Sequence, residues 1–527
     1  MNNLIRIEEI GLNLDADESL LKAKIAQILG LPESEIISYI TIKKAIDSRK
    51  KSEVIFVYSV DVQVKDINSI KEWSVRHRAR IQTPYSYEIK IAQPLNNRPI
   101  VVGSGPSGLF ASLALATAGL KPLLIERGQE LDLRIESVNQ FFKSGVLNPE
   151  SNIQFGEGGA GTFSDGKLYT LINDPRSQYI FSELVEAGAP VEILTSATPH
   201  IGTDKLRQIV KNIRHKIINL GGEVRFNTIL TELEIKDDKI VAAIFNHSEK
   251  VATDNLILAT GHSARDTYEM LYKNKVQISA KPFAIGLRIE HLRDDINKAQ
   301  YGNFWNHPKI SAAKYKLVEH VVGERSVYTF CMCPGGLVIA AASEAGGLVT
   351  NGMSYYSQAG NNSNSALLVP VTPDDFGSDH PLAGLEFQRF WEKKAYEAGG
   401  SNYQAPAQLV GDFLAGRASS KFGKVKSTYL PSVKLTSLDS CLPDYVIRSL
   451  KKAIPLMAHK IKGFADSDTL LTGIETRTSS PVRLFRDTKC QSNIAGLYPC
   501  GEGAGYAGGI VSSAIDGLTV AEAIINN

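Results

Sequence analysis

Gly103, Gly105 and Gly108 follow the apolar run Ile100-Val101-Val102 and precede a helical pattern that extends through Ala118. Glycines at this spacing have separate tasks. Gly103 permits a tight turn, Gly105 lets backbone approach a pyrophosphate, and Gly108 lets helix and strand pack closely. Pro106 and Ser107 complete the turn, where the exposed N–H groups and dipole of the helix N-terminus favour phosphate charge. A second apolar run, Leu123-Leu124-Ile125, ends at Glu126, 23 residues beyond Gly103. That is close to the interval of about 20 at which an acidic residue meets the ribose hydroxyls. A carboxylate there also repels a 2′-phosphate. The plainer alternative is that Glu126 only ends a strand.

One such fingerprint does not separate a nicotinamide enzyme from a flavoprotein. Three further segments do, by their order along the chain. Asn152 to Leu168 is dense in glycine, with Gly158, Gly159, Ala160, Gly161, Thr162 and Lys167, and can fold N–H groups around an anion or a planar ring. Asn255 to His262 is a buried strand running into Thr260-Gly261. Gly496 to Ile510 carries Gly501-Glu502-Gly503-Ala504 and then Gly508-Gly509-Ile510, ahead of a C-terminal helix. A helix start there supports ribityl phosphate and the negative charge of a reduced flavin ring. The four segments together predict a bound FAD; no spacing of histidines and cysteines supports a metal.

The side chains that could act beside the flavin are few. Lys167 is the first choice, because its loop is the one expected to touch the ring; Arg288 and Arg477 are the other cations. Each has a plain alternative as a structural ion pair, Arg288 with Glu290 for example. Cys331 and Cys333 share a strand face, with Cα atoms about 6.6 Å apart. That spacing is near the upper limit of about 6.8 Å for a disulfide. The reading for this pair is small residues lining a packed cap strand, against Cys331 as a substrate-facing proton donor. Cys500 reads as a buried small hydrophobe, and His262 as a hydrogen-bonded turn histidine. A disulfide reductase would need a cysteine pair soon after the ribose-binding strand, and Gly128 to Thr170 contains none. No second strand–GxGxxG–helix accompanies the first, so NADH or NADPH could act only as a transient electron donor.

These residues need elements to position them. The 527 residues suggest two to four domains. Residues 1–95 read as a small α/β unit of ferredoxin-like β–α–β–β–α–β order, with its second helix at Ile67 to Trp73. Thr83-Pro84 and Gln93 to Pro99 read as the linker out. Residues 96–279 form the first part of a nucleotide-binding α/β domain, 280–440 an inserted, mainly β substrate or cap domain, and 441–527 the returning part of the nucleotide domain.

With 58 basic and 56 acidic residues the formal charge is +2, which excludes a dominant electrostatic grip on nucleic acid or anionic membrane. The basic run Lys43, Lys44, Arg49, Lys50 and Lys51 reads as a solvated turn, with a phosphate or RNA contact as its rival. No apolar run reaches the roughly 18 residues of a membrane span. Five cysteines and no signal-peptide pattern fit a cytoplasmic protein.

The same four segments resemble the glutathione-reductase-type FAD fold, in the single-FAD-domain branch that includes geranylgeranyl reductase-like enzymes. Gly158 to Leu168, Cys331 to Gly336, Glu475 to Pro481 and Tyr498 to Gly509 are similar to a bacterial family of FAD-dependent dehydrogenases, along nearly the whole chain. The resemblance implies a Rossmann-type FAD domain with an inserted cap. It places Glu126 on the adenosine ribose, Arg127 and Arg134 near adenine or phosphate, and the Leu230 backbone on the adenine edge. It also places Gly501 to Ala504 on ribitol and pyrophosphate, and Gly509 and Ile510 on the flavin pyrimidine. Glu502 stands where the family usually has Asp. The expected activity is hydride transfer between non-covalent FAD and an organic substrate, as C=C reduction or its reverse, with Lys167, Arg477 and Cys331 as catalytic candidates. Rival expectations are a flavin hydroxylase, an RNA-binding or RNA-modifying flavoprotein, and a homo-oligomer joined through the N-terminal unit.

Overall fold

A computed structural model describes residues 4–70, 77–83, 87–170, 172 and 174–526. The N-terminal strand Leu4–Asn13 buries Ile5, Ile7, Ile10 and Leu12; a bulge between Ile7 and Ile10 resets its alternation so that all four face one core. Helix Leu20–Leu29 lays Leu21, Ile25 and Leu29 on that core and stops at left-handed Gly30. The antiparallel sheet runs Ile36–Asp47, Ile55–Val64, Leu4–Asn13, Arg80–Ile81. Of the expected second helix, the described residues contain one turn at Ile67–Ser69. Its continuation to Trp73, and Pro84 of the linker, lie outside them.

The second unit is built on five parallel strands in the order Leu497–Pro499, Leu256–Leu258, Ile100–Val102, Leu123–Ile125, Glu223–Arg225. The first four are wholly buried, as continuous apolar runs covered on both faces must be. Helix Pro106–Thr117 lies against the tail helix Ile510–Ile525 and against Thr203–Asn219. Leu230–Lys236, Lys239–Phe245 and Glu249–Ala252 make a separate antiparallel sheet.

The cap is a seven-stranded sheet in the order Val318–Glu319, Val327–Cys333, Asn362–Val371, Phe283–Leu292, Leu470–Glu475, Ala405–Leu409, Val433–Leu435. It departs from the expected boundary at 440. Leu470–Glu475 pairs with both Phe283–Leu292 and Ala405–Leu409, and helix Asp444–Ala458 packs into the same core, so the cap extends to about residue 475. It is also α+β rather than mainly β, because helices Arg293–Tyr301, Ala383–Gly399 and Asp444–Ala458 cover the sheet. Val482–Leu484 pairs with Ile278–Ala280 where the two crossings meet, and only Leu497–Pro499 rejoins the parallel sheet. The N-terminal unit docks through the Lys44 backbone, which pairs with Thr195 and Ala197, and through Ile46, Phe304 and Ile310, which pack against both its core and that of the cap. Among the described residues, no helix is long and apolar enough to cross a membrane.

Candidate functional site

A cavity of about 720 Å³ opens between the carboxyl ends of the parallel strands and the cap sheet. Ligands of open α/β sheets bind at that edge. At Gly103 (φ +101°) a Cβ would lie 2.4 Å from the Ala259 carbonyl oxygen, and at Gly159 (φ +62°) one would lie 2.9 Å from the Gly105 Cα. Strand turn and glycine loop therefore touch through backbone, leaving a wall of peptide groups. Helices Pro106–Thr117 and Ile510–Ile525 both begin on this wall, at Gly105 and Gly509, and no side chain caps either one. Uncapped helix starts leave N–H donors and positive dipole ends facing the cavity, which suits diphosphate and an anionic ring edge. The residues present thus fit FAD.

Glu126 lines the cavity, and its carboxylate accepts from Ser104 N and Oγ, Gly128 N and Gly156 N at 2.8–3.0 Å. Those four donors occupy its acceptor positions, so Glu126 clamps the first turn to the glycine loop, and a ribose hydroxyl would have to displace a donor such as Ser104 Oγ. Arg127 is on the wall, paired with Glu150 and Asp266 over the Phe155 ring. Arg134 is not on the wall. It is fully buried and donates to the carbonyls of Asn152, Ile153, Gly156, Glu157 and Gly159, so it fastens the glycine loop from behind instead of meeting adenine or phosphate.

Gly105, Pro106, Ser107, Ala160, Gly161, Leu230, Thr260, Gly261, Glu502, Gly509 and Ile510 line the cavity. Gly108, Gly158, Thr162, Gly501, Gly503 and Ala504 lie behind it. A Cβ at Gly108 would collide with the Gly103 carbonyl, and one at Gly158 with Thr162 Oγ1. Thr162 Oγ1 donates to the Glu157 carbonyl within its own loop. The Gly501 amide is held by Asp516, and the Gly503 carbonyl by Tyr268 and Ser480. Ala504 is buried, with its carbonyl accepting from the Leu484 amide. The C-terminal wall is Cys500, Glu502 and Gly505 to Ser513. Sequence reasoning also missed Tyr169, Tyr315, Phe330, Met332 and Asn351, which line the cap side and carry no spacing signal.

Lys167 reaches the cap side with Nζ 3.8 Å from Cys331 Sγ, 3.9 Å from Cys333 Sγ and 3.8 Å from Asp165 Oδ2. Burial works against its charge, but Cys331, Cys333 and Asp165 outweigh burial and hold the ammonium above its ordinary range. The cysteines are not on a regular strand: a bulge lies between Phe330 and Cys333, and Cys331 has φ +42°. Arg288 is an ion-pair residue, but with Glu475 (2.5 Å) rather than Glu290, whose carboxylate takes Thr428 and Asn362. Burial pushes Glu475 up to about 7 although Arg288 draws it down. Arg477 lines the cavity and is held by Glu392, Ser263 and Ser343. Burial and the cations Arg477 and Arg265 push His262 down to about 4, so it is neutral at physiological pH. Burial pushes Glu502 up to about 7 against Lys281.

Fold and site define an α/β nucleotide-binding protein with a capped cavity. The family described as "FAD-dependent protein, C-terminal domain-like" matches residues 282–478, which supports a flavoprotein and FAD as its cofactor. A domain of unknown function matches residues 4–63. The chain is 50% identical to an uncharacterized protein of Clostridium beijerinckii over 530 residues, covering 99% of this chain and 98% of that one. The chain belongs to the family of that protein. A triple mutant of the flavin-dependent brominase Bmp2 aligns at 13% identity and TM-score 0.37, over 82% of this chain and 80% of its own. The halogenase PltM in complex with FAD aligns at 11% identity and TM-score 0.38, over 81% and 68%. Likenesses at these scores decide nothing about fold or reaction.

Proposed function

We propose that the chain is a FAD-dependent oxidoreductase that holds FAD non-covalently and takes a small organic substrate against the cap. Hydride passes between the flavin and that substrate, with C=C reduction or its reverse as the reaction. One observation carries this reading. A single cavity is lined by the strand turn at Gly103 to Ser107, the loop at Gly159 to Gly161, the tail-helix start at Gly509, and the cap residues Tyr315, Phe330, Cys331 and Met332. Bound FAD supplies two-electron chemistry, and the protein supplies binding, orientation and charge. The two uncapped helix starts bind phosphate and ring-edge charge. Lys167 keeps a cation at the cap side. Glu502 can hold or release a proton near neutral pH, whereas neutral His262 hydrogen-bonds Ser263 and shapes the turn. NADH or NADPH would serve as a transient donor, and the setting would be cytoplasmic.

The RNA-binding alternative loses support at the basic run. Lys44, Arg49 and Lys50 already face Glu18, Asp47 and Glu53, and Lys44 also lies over Phe56. Purified protein should be yellow and release FAD on denaturation. Anaerobic mixing with NADH, NADPH and dithionite, followed by a screen for compounds that reoxidise the flavin, should identify donor and acceptor. Protein that stays colourless after reconstitution with FAD would refute the proposal.

A further inference from the structure

Two thiols in this chain sit on one ammonium. The bulge at Phe330/Cys333 and the left-handed backbone of Cys331 replace regular strand spacing, and Lys167 Nζ lies within 3.9 Å of both sulfurs. Both cysteines are free; Cys331 lines the cavity, while Cys333 is buried behind it with its thiol 3.3 Å from the Cys331 carbonyl oxygen. Arg288 Nη1 donates to that same carbonyl at 2.9 Å, which fixes the cysteine backbone. A buried ammonium needs a counter-charge. Asp165, Tyr169 and these sulfurs are the groups that act on it as counter-charge.

We propose that Cys331 and Cys333 form a redox-active dithiol in the wall of the flavin cavity. They close to a disulfide and reopen as electrons pass to and from FAD, and Lys167 is the positioning cation. The flavin arm of this proposal rests on the FAD reading above. The roles of the sulfurs differ. The Cys333 thiol, then Lys167 and Arg288, hold Cys331 well below the ordinary thiol range against burial and Asp165. The neighbouring Cys331 sulfur and burial push Cys333 well above it. Glu475, Glu502, Tyr169 and Tyr315 are further titratable neighbours. Cys331, which lines the cavity, is the nucleophile, since an accessible thiolate is the reactive form, and the buried Cys333 resolves.

The exchange balances. A disulfide R–S–S–R is attacked by the Cys331 thiolate, which forms a mixed disulfide and expels R–S⁻. Cys333 sulfur then attacks Cys331 sulfur, closing the internal disulfide, and the thiol proton leaves with the second R–S⁻. Restoring the Cys331 thiolate and the Cys333 thiol takes two electrons and one proton, which reduced FAD held in the cavity would supply.

The probes are iodoacetamide and oxidised glutathione, acting on the full-length protein as purified. Cys331 should alkylate at neutral pH well ahead of Cys441, Cys490 and Cys500, which burial holds above the ordinary thiol range. Lys167→Met should slow this by at least about tenfold and Lys167→Arg should restore it. Oxidised glutathione should remove two hydrogens from the peptide bearing both cysteines, by mass spectrometry. Cys333→Ser should instead trap glutathione on Cys331. The oxidised protein should take up about four electrons per FAD in an anaerobic dithionite titration, against about two for Cys333→Ser, each couple being a two-electron one. Alkylation no faster than at the other cysteines, or glutathione adducts without an internal disulfide, would overturn the dithiol. A disulfide with a two-electron titre would overturn its exchange with flavin and leave the FAD reading standing. A disulfide in a protein that binds no FAD would overturn both readings.

Discussion

Glu502 shows how one carboxyl can carry the pH behaviour of the cavity. It stands on the wall before the tail helix, and burial pushes it up to about 7, only partly offset by Lys281. In the unfolded chain a glutamate titrates near about 4.3. Between those values the folded state binds the extra proton, so stability falls as pH rises through the window and settles once the buried carboxylate is charged. Glu502→Gln cannot ionise and escapes that loss. The variant should therefore gain thermal stability relative to the parent on going from pH 5 to pH 8. Equal melting-temperature differences at the two pH values would show that Glu502 is not raised. Lys167 presents the opposite case, a cation retained in spite of burial because Cys331, Cys333, Asp165 and Tyr169 surround it.

At the scale of elements, the glycine loop is rigid because a helix holds it. Arg134, on helix Leu131–Ser144, donates to five loop carbonyls and lies under the Phe163 ring. Each buried acceptor left unsatisfied costs about 1–3 kcal/mol. Arg134→Met keeps the stem but orphans these carbonyls; it should lower the melting temperature by several degrees and weaken FAD binding by more than about tenfold, about 1.4 kcal/mol. Fluorescence titration with FAD checks this, and an unchanged affinity would refute the fastening role. The role of Arg134 was not legible in the sequence, where a charged helix residue reads as surface or as a ligand for phosphate. The strand–turn–helix at Gly103, the strand ending at Glu126 and the tail helix were legible, because each is a local apolar run beside glycine. The cap boundary was not, since Leu470–Glu475 finds its partner in Phe283–Leu292, far away along the chain. Arg288 and Glu290 share a strand face and so suggested a pair, yet cross-strand neighbours took both.

The whole molecule is joined at a buried charge cluster. Glu392, on the cap helix Ala383–Gly399, accepts from Arg265 at 2.7 and 3.1 Å and from Arg477 at 3.0 and 2.9 Å, with Thr476 Oγ1 at 2.8 Å. Arg265 begins the helix that follows the Thr260-Gly261 turn, and Arg477 follows the last cap strand and touches Ser263. One carboxylate therefore ties the nucleotide sheet to its cap beside the cavity. Burial would raise Glu392, but the two guanidiniums outweigh it and hold the group at about 2. A depressed acid stabilises the fold above its unfolded value and loses that contribution as pH falls toward the folded one. Glu392→Gln leaves the buried Arg477 without its counter-ion and Arg265 with Glu344 alone, a change that costs on the order of 3–5 kcal/mol. At pH 7 the variant should melt several degrees lower and release FAD at a lower temperature than the parent, because Arg477, His262 and Ser263 form the wall between the two parts. The gap should narrow as pH drops from about 4.5 toward 2, where the parent loses its own carboxylate. Calorimetry across that range, with flavin fluorescence as a second signal, decides the matter: a gap that is absent at pH 7, or that stays constant into acid, would mean that the cap is held by its apolar core and not by this carboxylate.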